Sequence, residues 1–282
     1  MKILDGRSLS KQILDGLKSK INSYNQNPIP PKLVMVMVGE NPASISYIKQ
    51  KQKSAAKVGL ATEVLNLSQD LSTAQIVNEV ERLNYDNTVH GILVQLPLPV
   101  ENQDKIIDAV DPDKDVDGFH PFNVGHVFTN KDLEEMAPCT PKGVIKMLEH
   151  YQIPIKGKHV TVVGHSNIVG KPLAVMLLNR DATITVCNVY TKDLKAETLK
   201  ADILISATGV PNLIKKDMVK DQAVIIDVGF YKDENGIKGD IDFENVKDKV
   251  SYISKVPGGA GPMTVACLIE NTIIAYEKQI SN

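Results

Sequence analysis

The sequence predicts an α/β chain of two lobes, the second lobe a doubly wound parallel sheet. Two observations predict it. Short apolar runs alternate with longer amphipathic stretches, the pattern of βαβ units whose parallel strands are covered by helices. A strand at Val160–Val163 also runs directly into the glycine-bearing turn Gly164-His165-Ser166-Asn167-Ile168-Val169-Gly170 and then a helix, the context in which dinucleotide-binding turns occur.

In the first half, strands are expected at Leu33–Val38, Glu63–Leu67 and Gly91–Leu96. Between them lie helices at Ala43–Val58, following Asn41-Pro42, and at Thr73–Asn84, with Ser72 as N-cap. The run Gly91-Ile-Leu-Val-Gln95 lacks a polar face of period two, which suits a strand buried on both sides, and Pro97 and Pro99 end it. Asp111 to Pro138, rich in Asp, Pro, Gly and Asn, reads as a long loop with the domain border near its end. Thr140-Pro141 reads as an N-cap followed by proline at the first helical position, opening a helix to Glu149. The second block has strands at His159–Val163, Thr183–Cys187, Asp202–Ala207 and Ala223–Val228, with a helix at Val169–Asn179. A last helix, Thr264–Glu277, follows the glycine-rich segment Pro257-Gly-Gly-Ala-Gly-Pro262. The expected domains are 1–138 joined by 264–282, and 139–263. A chain of 282 residues exceeds the roughly 100–200 residues of one domain.

Composition narrows the function classes. With 43% hydrophobic and 23% charged residues the chain is globular rather than a disordered tail. A net charge of -2 provides no basic field for nucleic acid or an anionic membrane. The three cysteines, Cys139, Cys187 and Cys267, are odd in number and lie outside any CxxC spacing, so a reducing cytoplasm is expected rather than a disulfide framework or a zinc site. No apolar run approaches the roughly 20 residues that span a bilayer.

The turn at Gly164 departs from GxGxxG: Ser166 stands at the second glycine position, and Gly170 comes one residue late. Glycine alone fits an ordinary tight turn equally well. Thr208-Gly209 and Val228-Gly229 also fall at carboxyl ends of apolar strands, where open α/β sheets bind ligands, and the helix starting near Val169 would offer N–H groups to a pyrophosphate. The next strand ends Cys187-Asn188-Val189-Tyr190 without the acid that grips a ribose 2′-hydroxyl in NAD enzymes. NADP is therefore expected, with NAD as the alternative. No arginine stands at this turn, and His165 is the nearest candidate for a 2′-phosphate contact.

In the first lobe, Tyr47 and Lys51 are four residues apart on one helix face. Spacing alone describes a surface lysine over a tyrosine. Gln95 adds a polar group at the carboxyl end of a buried strand, where an amide needs partners and ligands bind. Asp113-Lys-Asp115-Val-Asp117-Gly118 imitates the start of a calcium loop, but its twelfth position is Val124, where a bidentate Glu is required. Asp117 either pairs with an amino-heterocycle or makes an Asx turn before Gly118.

Together, Tyr47-x-x-x-Lys51, Gly91-Ile-Leu-Val-Gln-Leu-Pro-Leu-Pro99, Lys114-Asp-Val-Asp-Gly-Phe119, Pro138-Cys-Thr-Pro141, Val163-Gly-x-Ser-x-Ile-Val-Gly-Lys-Pro172 and Pro257-Gly-Gly-x-Gly-Pro-Met-Thr264 closely resemble the bifunctional methylenetetrahydrofolate dehydrogenase/methenyltetrahydrofolate cyclohydrolase family. The resemblance runs from Asp5-Gly6 to the last helix. It implies two α/β lobes with a cleft between them, a folate-binding first lobe and a Rossmann-like second lobe, and a homodimer. Lys51 would be the catalytic lysine with Tyr47 and Gln95 beside it, and Asp117 would hold the pterin. Gly259 and Pro262 would contact substrate. Gly164, His165, Ser166, Gly170, Val189, Thr208, Gly209, Gly229 and Phe230 would contact the dinucleotide. The family commonly has Arg where this chain has His165, and His-Ser plus a basic residue where it has Asn188-Val189-Tyr190. Two other functions are alternatives to this one: a dehydrogenase of a small hydroxy or keto acid with Lys51 as proton donor, and a catalytically silent nucleotide- or folate-binding regulator.

Overall fold

The computed structural model describes residues 1–24, 29–234 and 236–281. Its first half contains β1 (Lys2–Leu4), α1 (Gly6–Ser23), β2 (Lys32–Val38), α2 (Pro42–Val58), β3 (Ala61–Leu67), α3 (Thr73–Asn84), β4 (Gly91–Val94), α4 (Gln103–Asp108) and α5 (Pro121–Thr129). There follow α6 (Cys139–His150), β5 (His159–Val163), α7 (Gly170–Leu178), β6 (Thr183–Cys187), α8 (Leu194–Leu199), β7 (Ile203–Ser206) and β8 (Val224–Asp227). The chain ends with β9 (Tyr231–Asp233), β10 (Gly236–Lys238), α9 (Phe243–Val246), β11 (Tyr252–Ser254) and α10 (Ala260–Ser281). It divides into two compact units: Lys11–His126 with Leu133–Cys139 and Val265–Asn282, and Met1–Ser10 with Val127–Asp132 and Thr140–Thr264.

The first of these units is built on a three-stranded parallel sheet in the order β3-β2-β4. Strand alternation divides β2 between two cores. Leu33, Met35 and Met37 pack with Leu17 and Ile21 of α1, Ile48 and Ala55 of α2, and Leu268 and Ile273 of α10. Val34, Val36 and Val38 pack with Ile76 and Val80 of α3 and Ile106 of α4. Both faces being buried, no polar alternation appears in the strand's sequence. Beside β4, Ile92 bridges Asp115 in parallel and donates its N–H to the Lys114 carbonyl at 2.7 Å. That bridge carries the 114–118 segment toward the strand's carboxyl end.

The expected loop over 111–138 contains a helix, α5, and a 3-10 turn at Lys131–Met136. The residues that read as loop are the helix's start signals. Pro121 occupies the first helical position, where no N–H is needed, and His120 Nδ1 accepts the Phe122 N–H at 3.0 Å. Thr140, expected as an N-cap, lies inside the first turn of α6 and hydrogen-bonds Thr264 through its hydroxyl at 2.9 Å. Helix α1 adds to the predicted elements, as do β1 and β11.

The other unit contains a six-stranded parallel sheet, β1-β11-β8-β7-β5-β6. From β5 the chain winds to β6 on one side and to β7 and β8 on the other, so the topological switch of this Rossmann-like sheet falls between β5 and β7. Met1–Ser10 lies in this unit rather than with the rest of 1–138, because β1 pairs with β11, Lys2 opposite Tyr252. Val127–Asp132 lies here too; the Asn179 amide donates to the Val127 carbonyl at 2.7 Å. No helix among the described residues is long and apolar enough to cross a membrane.

Candidate active site

Helix α2 carries Tyr47 and Lys51, and its ends are closed by local chemistry. Asn41 Oδ1 accepts the N–H groups of Ala43 and Ser44 at 2.9 and 3.2 Å, Pro42 begins the helix, and Gly59 ends it at φ 83. Burial of Ser44, Ile48, Ala55 and Val58 turns the neighbouring stripe, with half-buried Tyr47 and Lys51, toward the end of β4.

There Lys51 Nζ donates to Gln95 Oε1 at 3.0 Å. Gln95 is 8% exposed, and its Nε2 donates to the Leu96 carbonyl at 2.7 Å, which fixes the oxygen toward the lysine. The amide that interrupts the apolar strand thus has both its partners.

The Asp-x-Asp-Gly segment divides its labour. Asp115 accepts N–H groups from Gly118 at 3.0 Å and His120 at 2.9 Å and the Asn123 amide at 2.9 Å. It makes the turn before Gly118, the structural role the spacing had left open for Asp117. Gly118 sits at φ +75, and a Cβ there would lie 2.5 Å from the Met136 carbonyl oxygen. The Asp117 carboxylate forms no hydrogen bond to another described residue. Burial pushes its carboxyl up to about 6, opposed by the Lys51 charge and assisted by that of Asp115. Burial likewise pushes the Tyr47 phenol up to about 12, so Tyr47 is a neutral hydroxyl. A lysine ammonium held by a neutral amide, near a carboxylate with open acceptor positions, can relay a proton and hold a polar heterocycle.

Two buried side chains that the sequence did not single out support this group. Asn271 of α10, 0% exposed, donates to the carbonyls of Val116 at 3.0 Å and Ala137 at 3.2 Å, pinning the backbone beside Asp117. Its signal was weak, since Asn271 stands between Glu270 and Thr272 in a polar triplet that interrupts the apolar residues of the last helix. Lys114 Nζ donates to the carbonyls of Leu83, Asn84 and Asp86 at 3.2, 2.7 and 2.9 Å, closing the carboxyl end of α3.

Gly259 and Pro262 belong to the other unit. Gly259 is buried; its carbonyl oxygen lies 2.0 Å from where a Cβ on Gly6 would stand. That close approach gives Gly6 a packing role, and Gly259 has its own, since a Cβ there would lie 2.8 Å from the Lys255 carbonyl oxygen.

In that same unit the predicted dinucleotide residues gather at the carboxyl ends of β5, β6, β7 and β8. Gly164, at φ +113, would put a Cβ 2.4 Å from the Ala207 carbonyl oxygen across the switch point, and Gly170 would put one 2.0 Å from that of Gly164. The turn is therefore packed backbone against backbone, with no room for a side chain at either glycine. His165 and Ser166 are exposed, and Ser166 Oγ accepts the Val169 N–H at 3.2 Å, so that one N–H is engaged within the turn. Val189, after β6, is 88% and Phe230, after β8, 43% exposed, apolar surface of the kind planar rings cover; Gly209, at φ 72, follows β7. Lys192, exposed four residues beyond Asn188, adds a cation to the turn after β6.

A doubly wound sheet with glycine-lined strand ends at its switch point defines an NAD(P)-binding protein of the oxidoreductase class. Residues 4–117 match the family model for the tetrahydrofolate dehydrogenase/cyclohydrolase catalytic domain, and residues 138–280 that for its NAD(P)-binding domain. The chain is 49% identical over 282 residues to a protein of Hydrogenobaculum sp. named bifunctional protein FolD, covering 99% of this chain and 100% of that one. The crystal structure of the bifunctional FolD methylenetetrahydrofolate dehydrogenase/cyclohydrolase of Campylobacter jejuni is similar, with a TM-score of 0.94, 46% identity and 99% of each chain covered. That of the Trypanosoma brucei enzyme complexed with NADP and inhibitor has a TM-score of 0.94 at 32% identity, covering 99% of this chain and 98% of that one. This chain belongs to the tetrahydrofolate dehydrogenase/cyclohydrolase family.

Proposed function

We propose that this protein oxidises 5,10-methylenetetrahydrofolate to 5,10-methenyltetrahydrofolate with NADP and hydrolyses the product to 10-formyltetrahydrofolate, working as a cytoplasmic homodimer in one-carbon metabolism. The observation that carries the reading is the hydrogen bond from Lys51 to the oriented amide of Gln95, with the Asp117 carboxylate in electrostatic reach.

When bound, the dinucleotide supplies the hydride acceptor. Its pyrophosphate would lie over Gly164–Gly170, and its rings against Val189, Thr208, Gly209, Gly229 and Phe230. His165 and Lys192 are the basic groups available to a 2′-phosphate; the acid of the same loop, Asp193, caps α8 by accepting the Ala196 N–H at 2.9 Å.

Asp117 accepts hydrogen bonds from the amino-heterocycle of the folate, a role for which its open acceptors suit it, while neutral Tyr47 packs against the ligand. In the hydrolytic step water adds to the methenyl carbon and the bond from that carbon to N5 breaks. Of the water's two protons, one ends on N5 and the other is released. Lys51 Nζ relays the proton, and Gln95 aims it without adding charge. General acid–base help of this kind contributes about 10²–10⁴-fold.

The test is a spectrophotometric assay with methylenetetrahydrofolate and each of NADP and NAD, followed by methenyl hydrolysis in the parent and in Lys51→Met. Methenyl formation with NADP, and hydrolysis lost in the variant, are expected. Unchanged hydrolysis in Lys51→Met would remove Lys51 from its role.

A further inference from the structure

The dinucleotide-binding unit holds two buried carboxyl groups that the mechanism above does not use. Asp227, the last residue of β8, is 3% exposed and Asp240 is 0% exposed. Asp227 accepts on both oxygens: Oδ1 from the N–H groups of Gly229 (2.9 Å) and Asp240 (3.0 Å), Oδ2 from that of Ile241 (3.0 Å). Asp240 accepts on one, Oδ2 taking the Ser206 hydroxyl and the Thr208 N–H, both at 2.7 Å. Its Oδ1 is buried and has no partner among the described residues. Two glycines interlock the pair. A Cβ on Gly229 would stand 2.0 Å from Asp240 Oδ1, and one on Gly239 2.0 Å from Asp227 Oδ2.

Among the described residues no cation compensates them. The groups facing the pair are Ser206 and Thr208 from the β7 side, Ser254 of β11, whose Oγ accepts the Asp227 N–H at 2.8 Å, and the 239–241 backbone. The neighbouring lysines are engaged elsewhere: Lys238 pairs with Asp233 at 2.7 Å, and Lys255 lies over the Phe243 ring. Two buried, uncompensated carboxylates side by side do not both ionise. Burial and the Asp240 charge push the Asp227 carboxyl up to about 7, against the backbone N–H groups that lower it, so the two acids titrate as a pair. Hydrogen bonding bears on where a shared proton sits: of the four carboxyl oxygens only Asp240 Oδ1 receives no donor among the described residues, and there a negative charge is least stabilised.

We propose that Asp227 and Asp240 form a single-proton carboxyl pair, with the proton on Asp240 Oδ1, that positions the backbone lining the dinucleotide site. Asp240 holds the Thr208 N–H and Asp227 that of Gly229, so each acid fixes one of the strand ends assigned to the dinucleotide. The proposal rests on that assignment. Both acids are positioning residues.

The test uses the asymmetry. Asp240→Asn keeps an accepting oxygen for Ser206 and Thr208 and puts an amide where the proton sits. Asp227→Asn turns an NH2 group against backbone donors. NADP Kd should stay within about twofold and Tm should not fall in Asp240→Asn, whereas Asp227→Asn should weaken NADP by about tenfold or more with folate affinity retained. In the ligand-free protein, the infrared difference between the parent and Asp240→Asn, with aspartate isotope-labelled, should show loss of a protonated carboxyl at neutral pH. Loss of a carboxylate instead, or equal damage to NADP binding by both variants, would overturn the proposal. If Asp227→Asn fails to fold, the infrared difference and the affinity of Asp240→Asn still decide. If the parent binds no NADP, the dinucleotide assignment fails, while the infrared result still judges the pair's proton.

Discussion

Lys51 and Gln95 come from elements 44 residues apart in sequence yet meet at 3.0 Å, the lysine donating and the amide oxygen accepting. A neutral partner leaves the ammonium free to exchange its proton, where a carboxylate would hold it. Gln95→Glu should therefore depress methenyl hydrolysis by about tenfold or more while leaving hydride transfer less affected. Stopped-flow measurement of the two steps separates them.

Asp117→Ala should weaken folate binding by about 1.5–3 kcal/mol, the usual worth of a hydrogen bond to a charged group, and leave NADP binding nearly unchanged. Titration calorimetry with each ligand checks this, and equal losses would reduce Asp117 to a loop residue.

The same carboxyl, raised to about 6, predicts a pH dependence. Above that pH the free protein presents a carboxylate to the heterocycle; as pH falls through 6 it takes up a proton and loses acceptor capacity. Folate affinity should fall on that side, and Asp117→Asn should flatten the change.

His90 predicts an acid limit on stability. It is 3% exposed, and its Nδ1 accepts the Lys32 N–H at 3.2 Å. Burial and the Lys114 charge push it down to about 4, against the pull of Asp86. The unfolded chain, with an ordinary imidazole near 6.5, binds the proton first. The stability that neutral His90 contributes is present above about 6.5 and lost as pH falls toward 4, by about 1–3 kcal/mol after allowance for solvent screening. Urea unfolding across this range should show the decline, reduced in His90→Gln.

Cofactor choice tests the role proposed for His165. His165→Arg supplies a guanidinium able to grip a phosphate in two places, and the NADP to NAD ratio of kcat/KM should rise by about tenfold. An unresponsive ratio would show that the 2′-phosphate is not read at this turn.

Much of this fold is written in local sequence. β5 and β6 have the bounds their apolar runs predict, and α2 and α3 carry their start signals at Asn41-Pro42 and Ser72. What was not legible depends on distant partners. β1 and β11, three residues each, exist through their pairing across the chain. α1 did carry a signal, since Leu9, Ile13, Leu17 and Ile21 recur every four residues. In the site, Gln95 was conspicuous as an amide ending an apolar strand. Asp115 and Asp117 could not be told apart, because two acids flanking one valine look alike until hydrogen bonds are assigned. Asp240 gave no local sign: its significance comes from Ser206 and Thr208, more than 30 residues away.

The division of β2 between two cores has a consequence for insertions and deletions. Removing one residue between Leu33 and Val38 would exchange the strand's faces, sending the methionines toward α3 and the valines toward α2 and α10. Neither core could be repaired by moving a neighbouring loop, since β2 is the central strand and is hydrogen-bonded on both edges. Length changes should therefore be excluded from this strand, whereas point substitutions that keep side-chain volume remain open to it.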